Sequence, residues 1–127
     1  MTRMTCQTLL IATLAIAGTA WGVQMPKSIQ NERDLKTALK AAKTPEDHER
    51  IAAYCQSEAD RLDAEAASYE QSAAKYRNSP EPKNLMAPNT PARYQAQAGE
   101  FRKEAQSKRT LAASQEQLAR NTEQATR

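Results

Sequence analysis

The chain is short of the residues that build wide cores and reactive loops. Among its 127 residues are one Phe, one Trp and four Tyr. That shortage excludes a broad globular interior, because aromatic and branched aliphatic side chains supply most of the buried area in one. Three glycines leave no glycine-rich loop of the kind that cradles phosphates. The single histidine, His48, would have to serve every role in a Ser-His-Asp or Cys-His arrangement, so neither has support. Long uncharged apolar runs are confined to residues 8–20, TLLIATLAIAGTA.

That run has Arg3 before it and the small residues Ala20 and Gly22 at its end. Such a sequence predicts a secretory signal peptide over 1–22, cleaved after Gly22 or, as the alternative, after Ala20. The run is shorter than the roughly 20 residues that span a bilayer, so no membrane span is expected after cleavage. Cys6 precedes the apolar run, which is not a lipoprotein arrangement. The expected destination is the periplasm or the exterior of a bacterium. Removal of 1–22 takes Arg3 and Cys6 with it. The remaining 17 basic and 15 acidic residues carry a net charge of +2, too little for a nucleic-acid partner. Cys55 is then alone and has no internal disulfide partner.

What is abundant is Ala, Glu, Gln, Lys and Arg, all strong helix formers. Residues 23–43 read as a flexible terminus, VQMPKSIQ, followed by a short helix with Leu35, Ala38, Leu39 and Ala42 at helical spacing. Thr44 then offers an N-cap, Pro45 suits the first helical position, and Glu46 and Asp47 face the positive end of the helix dipole. A long helix is expected over about 45–77. Pro80, Pro82 and Pro88 mark a loop over 78–90. Thr90 and Pro91 repeat the start signal for a second long helix over about 91–121. An offset of 46 residues superimposes Thr44 on Thr90, Ala52 on Ala98, Glu58 on Glu104, and the Ala-Ala-Ser of 66–68 on that of 112–114. An internal duplication of one helix is the natural reading.

Alanine recurs at every seventh position, at 52, 59, 66 and 73 and again at 98, 105, 112 and 119. With the alanines called a, the d positions hold His48, Cys55, Leu62, Tyr69 and Tyr76 in the first helix. In the second they hold Tyr94, Phe101, Lys108 and Gln115. A seven-residue repeat marks a coiled-coil seam, and alanine lets two backbones approach closely. The expected fold is therefore all-α, an antiparallel two-helix hairpin over 44–127 with a short third helix before it. Residues 44–78 carry a net charge of −4 and residues 90–127 one of +3, so the two helices attract. The expected neighbours are Tyr69 with Phe101, Tyr76 with Tyr94, Glu70 with Arg102 and Asp63 with Arg109. Ala66 is expected opposite Ala105, Ala59 opposite Ala112, and Ile51 near Leu118, with the Lys108 ammonium reaching water. Two helices bury little apolar surface, so further cover is expected either from Leu35 and Leu39 or from a second copy forming a dimeric four-helix bundle.

Three functional readings follow. The first is a non-enzymatic, exported interaction or structural module of the cell envelope, with no cofactor and a protein partner, itself or an envelope component. The second is a metal-binding or metal-handling protein using His48 and Cys55, which share a helix face two turns apart, with Met86 as a further ligand. Zinc and copper sites need three or four ligands, so this pair is incomplete. The third is a small-ligand binder lined by the tyrosines at 54, 69, 76 and 94.

The stretch TPEDHERIAAYC resembles a TPxDHxxLAxYY pattern found in uncharacterised exported, alanine-rich helical-hairpin proteins of bacteria. The resemblance rests on Thr44, Pro45, Asp47, His48, Ala52 and Tyr54 and covers about residues 44–119. It implies an exported hairpin. It also implies further histidines, one of them near the start of the second long helix. Tyr94 holds that place here and Cys55 replaces a tyrosine, which weakens any metal role the resemblance suggests.

Overall fold

A computed structural model describes residues 22–79 and 90–127. The apolar run 8–20, the prolines of the loop and Met86 lie outside the described residues. Among the described residues there are three helices and no strand: α1 (Glu32–Ala41), α2 (Pro45–Asn78) and α3 (Thr90–Ala125). No helix among them is long and apolar enough to cross a membrane.

Each start has a local cause. Asn31 caps α1, its side chain accepting from the Asp34 amide at 2.9 Å. At α2 the Asp47 amide donates to Thr44 Oγ1 at 3.2 Å, and the Thr44 and Lys43 amides donate to Asp47 Oδ2 at 3.1 Å. This reciprocal capping box satisfies amides that the first turn cannot satisfy itself. Those amides, Lys43 first, hold the Asp47 pKa below its ordinary value.

The long helices pack closely side by side as a hairpin. All eight heptad alanines are buried: Ala52, Ala59, Ala66 and Ala73 on α2, and Ala98, Ala105, Ala112 and Ala119 on α3. Alanines related by the 46-residue offset thus lie on the inward faces of both helices. Two apolar groups form along the interface. One joins Ala59, Leu62 and Ala105, with Phe101 against them. The other joins Ile51, Ala52, Cys55 and Ala112 to Leu35 and Ala38 of α1, with Leu111 and Tyr54 at its edge. Ala105 and Ala112 each group with residues of two turns of α2. A side chain entering another helix's surface sits among several residues, not against one.

The short helix does lie over the hairpin, through Leu35 and Ala38 as the spacing suggested but without Leu39. Leu35, Ala38 and Ala41 are buried, whereas Leu39 is 37% exposed. A helix this short presents one narrow stripe, and Leu39 lies outside the stripe set by Leu35 and Ala38. Ile51 is fully buried in this group, while Leu118 is 41% exposed and takes no part in it. The VQMPKSIQ segment also has specific contacts. Met25 and Ile29 pack on the same group, and the Arg50 guanidinium donates to the carbonyls of Pro26 and Lys27, both at 2.7 Å.

Candidate functional site

The polar residues that interrupt the alanine seam are the first candidates. Gln115 is buried, and its Oε1 lies 2.8 Å from His48 Nδ1. An amide oxygen only accepts, so the proton sits on Nδ1 and one ring nitrogen remains for any other partner. Cys55 is fully buried. Burial pushes its thiol pKa up, and nearby Lys108 pulls the other way without reversing the shift. Lys108 is thus a cationic neighbour of Cys55. The thiol is nevertheless held in its protonated form, not as the thiolate that metals and electrophiles require. Met86 lies outside the described residues. Among those described, no group of three or more His, Cys, Asp or Glu side chains is placed to hold a metal ion.

Lys108 departs most from expectation. Its side chain is 11% exposed, and its ammonium pairs with Glu32 of α1 instead of reaching water. Burial opposes the charge on Lys108. The bond to Glu32 and its charge outweigh that, leaving the Lys108 pKa above the ordinary value. The pair ties α1 to α3 directly above the Cys55 group. Lys108 and Gln115 were visible in the sequence as breaks in the seam. Their partners, Glu32 and His48, lie 76 and 67 residues away, and no local pattern announces them.

The tyrosines form the second candidate. The rings of Tyr69 and Phe101 are 5.4 Å apart, those of Tyr76 and Tyr94 stack at 5.4 Å and 16°, and Tyr94 lies 5.8 Å from Tyr69. A hydrogen bond with Tyr76 raises the Tyr94 pKa. Open grooves flank Tyr94 on both sides. One, of about 270 Å³, is lined by Tyr69, Thr90, Arg93, Tyr94 and Gln97. The other, of about 340 Å³, is lined by Ser72, Lys75, Tyr76, Ser79 and Tyr94. Tyr54 is apart from this set and packs at the edge of the Cys55 group, where burial raises its pKa.

Ion pairs cross the hairpin along its flank. Arg102 makes two bonds to Glu70, at 2.9 and 3.0 Å, and lies 3.8 Å from Asp63. Arg109 bonds Asp63 and is 3.5 Å from Asp60. The bond to Arg102 lowers the Glu70 pKa. Comparison with family models, curated proteins and solved structures finds no match for the chain.

Proposed function

We propose that the protein is an exported, non-enzymatic helical module of the bacterial cell envelope, working through contact with another protein, itself or an envelope component. The observation that carries this reading is how the hairpin uses its polar groups. Glu70, Asp63, Lys108 and His48 each bond a residue of a different helix. Such pairs supply register and rigidity, not a converging set of reactive groups. The charged start, apolar run and small residues of 1–22 supply the export half of the reading.

The finer architecture belongs to the same proposal. The sevenfold alanine spacing makes α2 and α3 an antiparallel coiled coil with an unusually close seam. A second copy is the natural cover for Leu118, which would make the assembly a dimeric bundle. Fractionation of cells, mass spectrometry of the N-terminus and sedimentation of the purified protein test these points together. An envelope fraction starting at Val23 or Trp21 supports export, and an intact Met1 in the cytosol contradicts it. A concentration-independent monomer removes the dimer.

The grooves beside Tyr94 favour one other reading, a binder of small planar ligands. Arg93 and Lys75 line them and would select an anionic aromatic compound. Quenching of tyrosine fluorescence by an aromatic carboxylate, lost in Tyr94→Ala, would promote that reading.

A further inference from the structure

The side of α1 turned away from the hairpin carries a strip of charge that nothing in the fold uses. With Leu35, Ala38 and Ala41 buried, helical geometry puts Arg33, Lys36 and Lys40 together on the opposite side, with Lys43 just beyond the helix. None of these four makes an ion pair among the described residues. The acids of α1 are occupied elsewhere: Glu32 holds Lys108, and Asp34 accepts from the Gln30 amide at 3.1 Å. The strip is therefore cationic without internal compensation. The burial of α1 and the Arg50 bonds to Pro26 and Lys27 hold it in place.

The strip is also apolar in places. Val23 is 53% exposed and lines a groove of about 480 Å³ with Arg33, Lys36, Thr37 and Lys40. Leu39, three residues from Lys36, is exposed on the same side. Of the three large hydrophobic residues exposed among those described, two border this one patch. A soluble polyanion would satisfy the cations and leave Val23 and Leu39 in water. A bilayer with anionic headgroups satisfies both, because basic side chains meet phosphates while apolar ones enter the interface.

We propose that this face of α1 docks the protein on an anionic phospholipid surface, with Arg33, Lys36 and Lys40 on headgroup phosphates and Val23 and Leu39 in the interface. The proposal adds a lipid surface to the protein contact of the envelope reading and rests on that reading for the compartment alone. Each cation near such a surface contributes about fivefold to binding, so neutralising three removes about a hundredfold. High salt weakens the attachment by screening the same charges.

The test is co-sedimentation of the protein isolated from cells with two kinds of vesicle. One kind mixes phosphatidylglycerol with phosphatidylcholine, and the other is phosphatidylcholine alone. Binding to the mixed vesicles only, reduced about a hundredfold in Arg33→Gln/Lys36→Gln/Lys40→Gln, is the expected result. The control Lys103→Gln/Arg120→Gln/Arg127→Gln removes the same charge from exposed positions of α3 and should lose far less. These side chains are exposed, and far-UV circular dichroism confirms that each variant is folded. Equal binding to neutral vesicles, or an equal loss in the control, overturns the proposal. So does a Val23→Ser/Leu39→Ser variant that binds vesicles as well as wild type, since the strip would then serve a soluble polyanion. Vesicle binding is read apart from export: an exported protein that ignores the vesicles sinks only the surface, and a cytosolic protein that binds them sinks only the compartment.

Discussion

Where α2 begins, the space beside the alanine seam is filled by Leu35 and Ala38 of α1, together with Ile51 and Cys55. Towards residue 79, four aromatic rings fill it, those of Tyr69, Tyr76, Tyr94 and Phe101. The first filling is dry, with Ile51 and Cys55 wholly buried. The second is half-open, with grooves on both sides of Tyr94. Alanine methyls bring two helices together but enclose little volume, so each end needs bulk from elsewhere. A third helix supplies aliphatic cover that excludes water. Rings on the two helices supply bulk that leaves edges and hydroxyls in reach of solvent. The difference places the closed packing beneath α1 and leaves ring edges open to solvent at the aromatic end.

The largest expected effect breaks the dry end. Ile51→Ala leaves a cavity under α1 and should cost about 2–5 kcal/mol in urea unfolding. Amide exchange over residues 32–41 should rise more than over 94–105. A uniform rise would mean that the two ends are not distinct. In mid-seam, Ala59→Leu forces extra volume between fully buried neighbours and should cost about 1–3 kcal/mol, while Ala113→Leu on the exposed side should be near neutral. At the aromatic end, Tyr94→Ala removes two ring contacts, each worth about 0.5–1.5 kcal/mol beyond its buried area, and should leave exchange in α1 unchanged. Thr44→Ala removes half of the capping box and should cost about 1 kcal/mol. The other half of the box, the Asp47 carboxylate, depends on pH. Asp47 has a folded pKa below its unfolded one. Its stabilisation is present above the unfolded value and disappears as pH falls through the folded one. The difference between wild type and Asp47→Ala should therefore shrink in acid; a gap that persists would assign the effect to packing.

Much of this was legible in the sequence because it is local or periodic. The Thr44–Asp47 cap follows from four adjacent residues. The eight buried alanines follow from a sevenfold spacing. Once the chain is folded back on itself, the Tyr69–Phe101, Tyr76–Tyr94, Glu70–Arg102 and Asp63–Arg109 neighbours follow from one register. What escaped was set by the docking of α1. Its rotation decides that Leu35 is buried and Leu39 exposed, and two leucines four residues apart do not reveal which one faces inward. That rotation also brings Glu32 to Lys108, which turns an expected surface ammonium into a nearly buried one. For the candidate site, the sequence named His48 and Cys55. It could not show that Gln115 takes one ring nitrogen or that burial raises the thiol pKa.

The central claim is that one chain folds back on itself with Glu70 beside Arg102, and a crosslink reads it directly. With Cys6→Ser and Cys55→Ser as background, Glu70→Cys combined with Arg102→Cys should be joined by a short bis-maleimide within a monomer. The reaction should be fast and independent of protein concentration. Pairing of Glu70→Cys with Gln95→Cys or Arg109→Cys should be slow. A preference for either of those positions would contradict the register, and crosslinks found only between chains would move the alanine seam to an interface between copies.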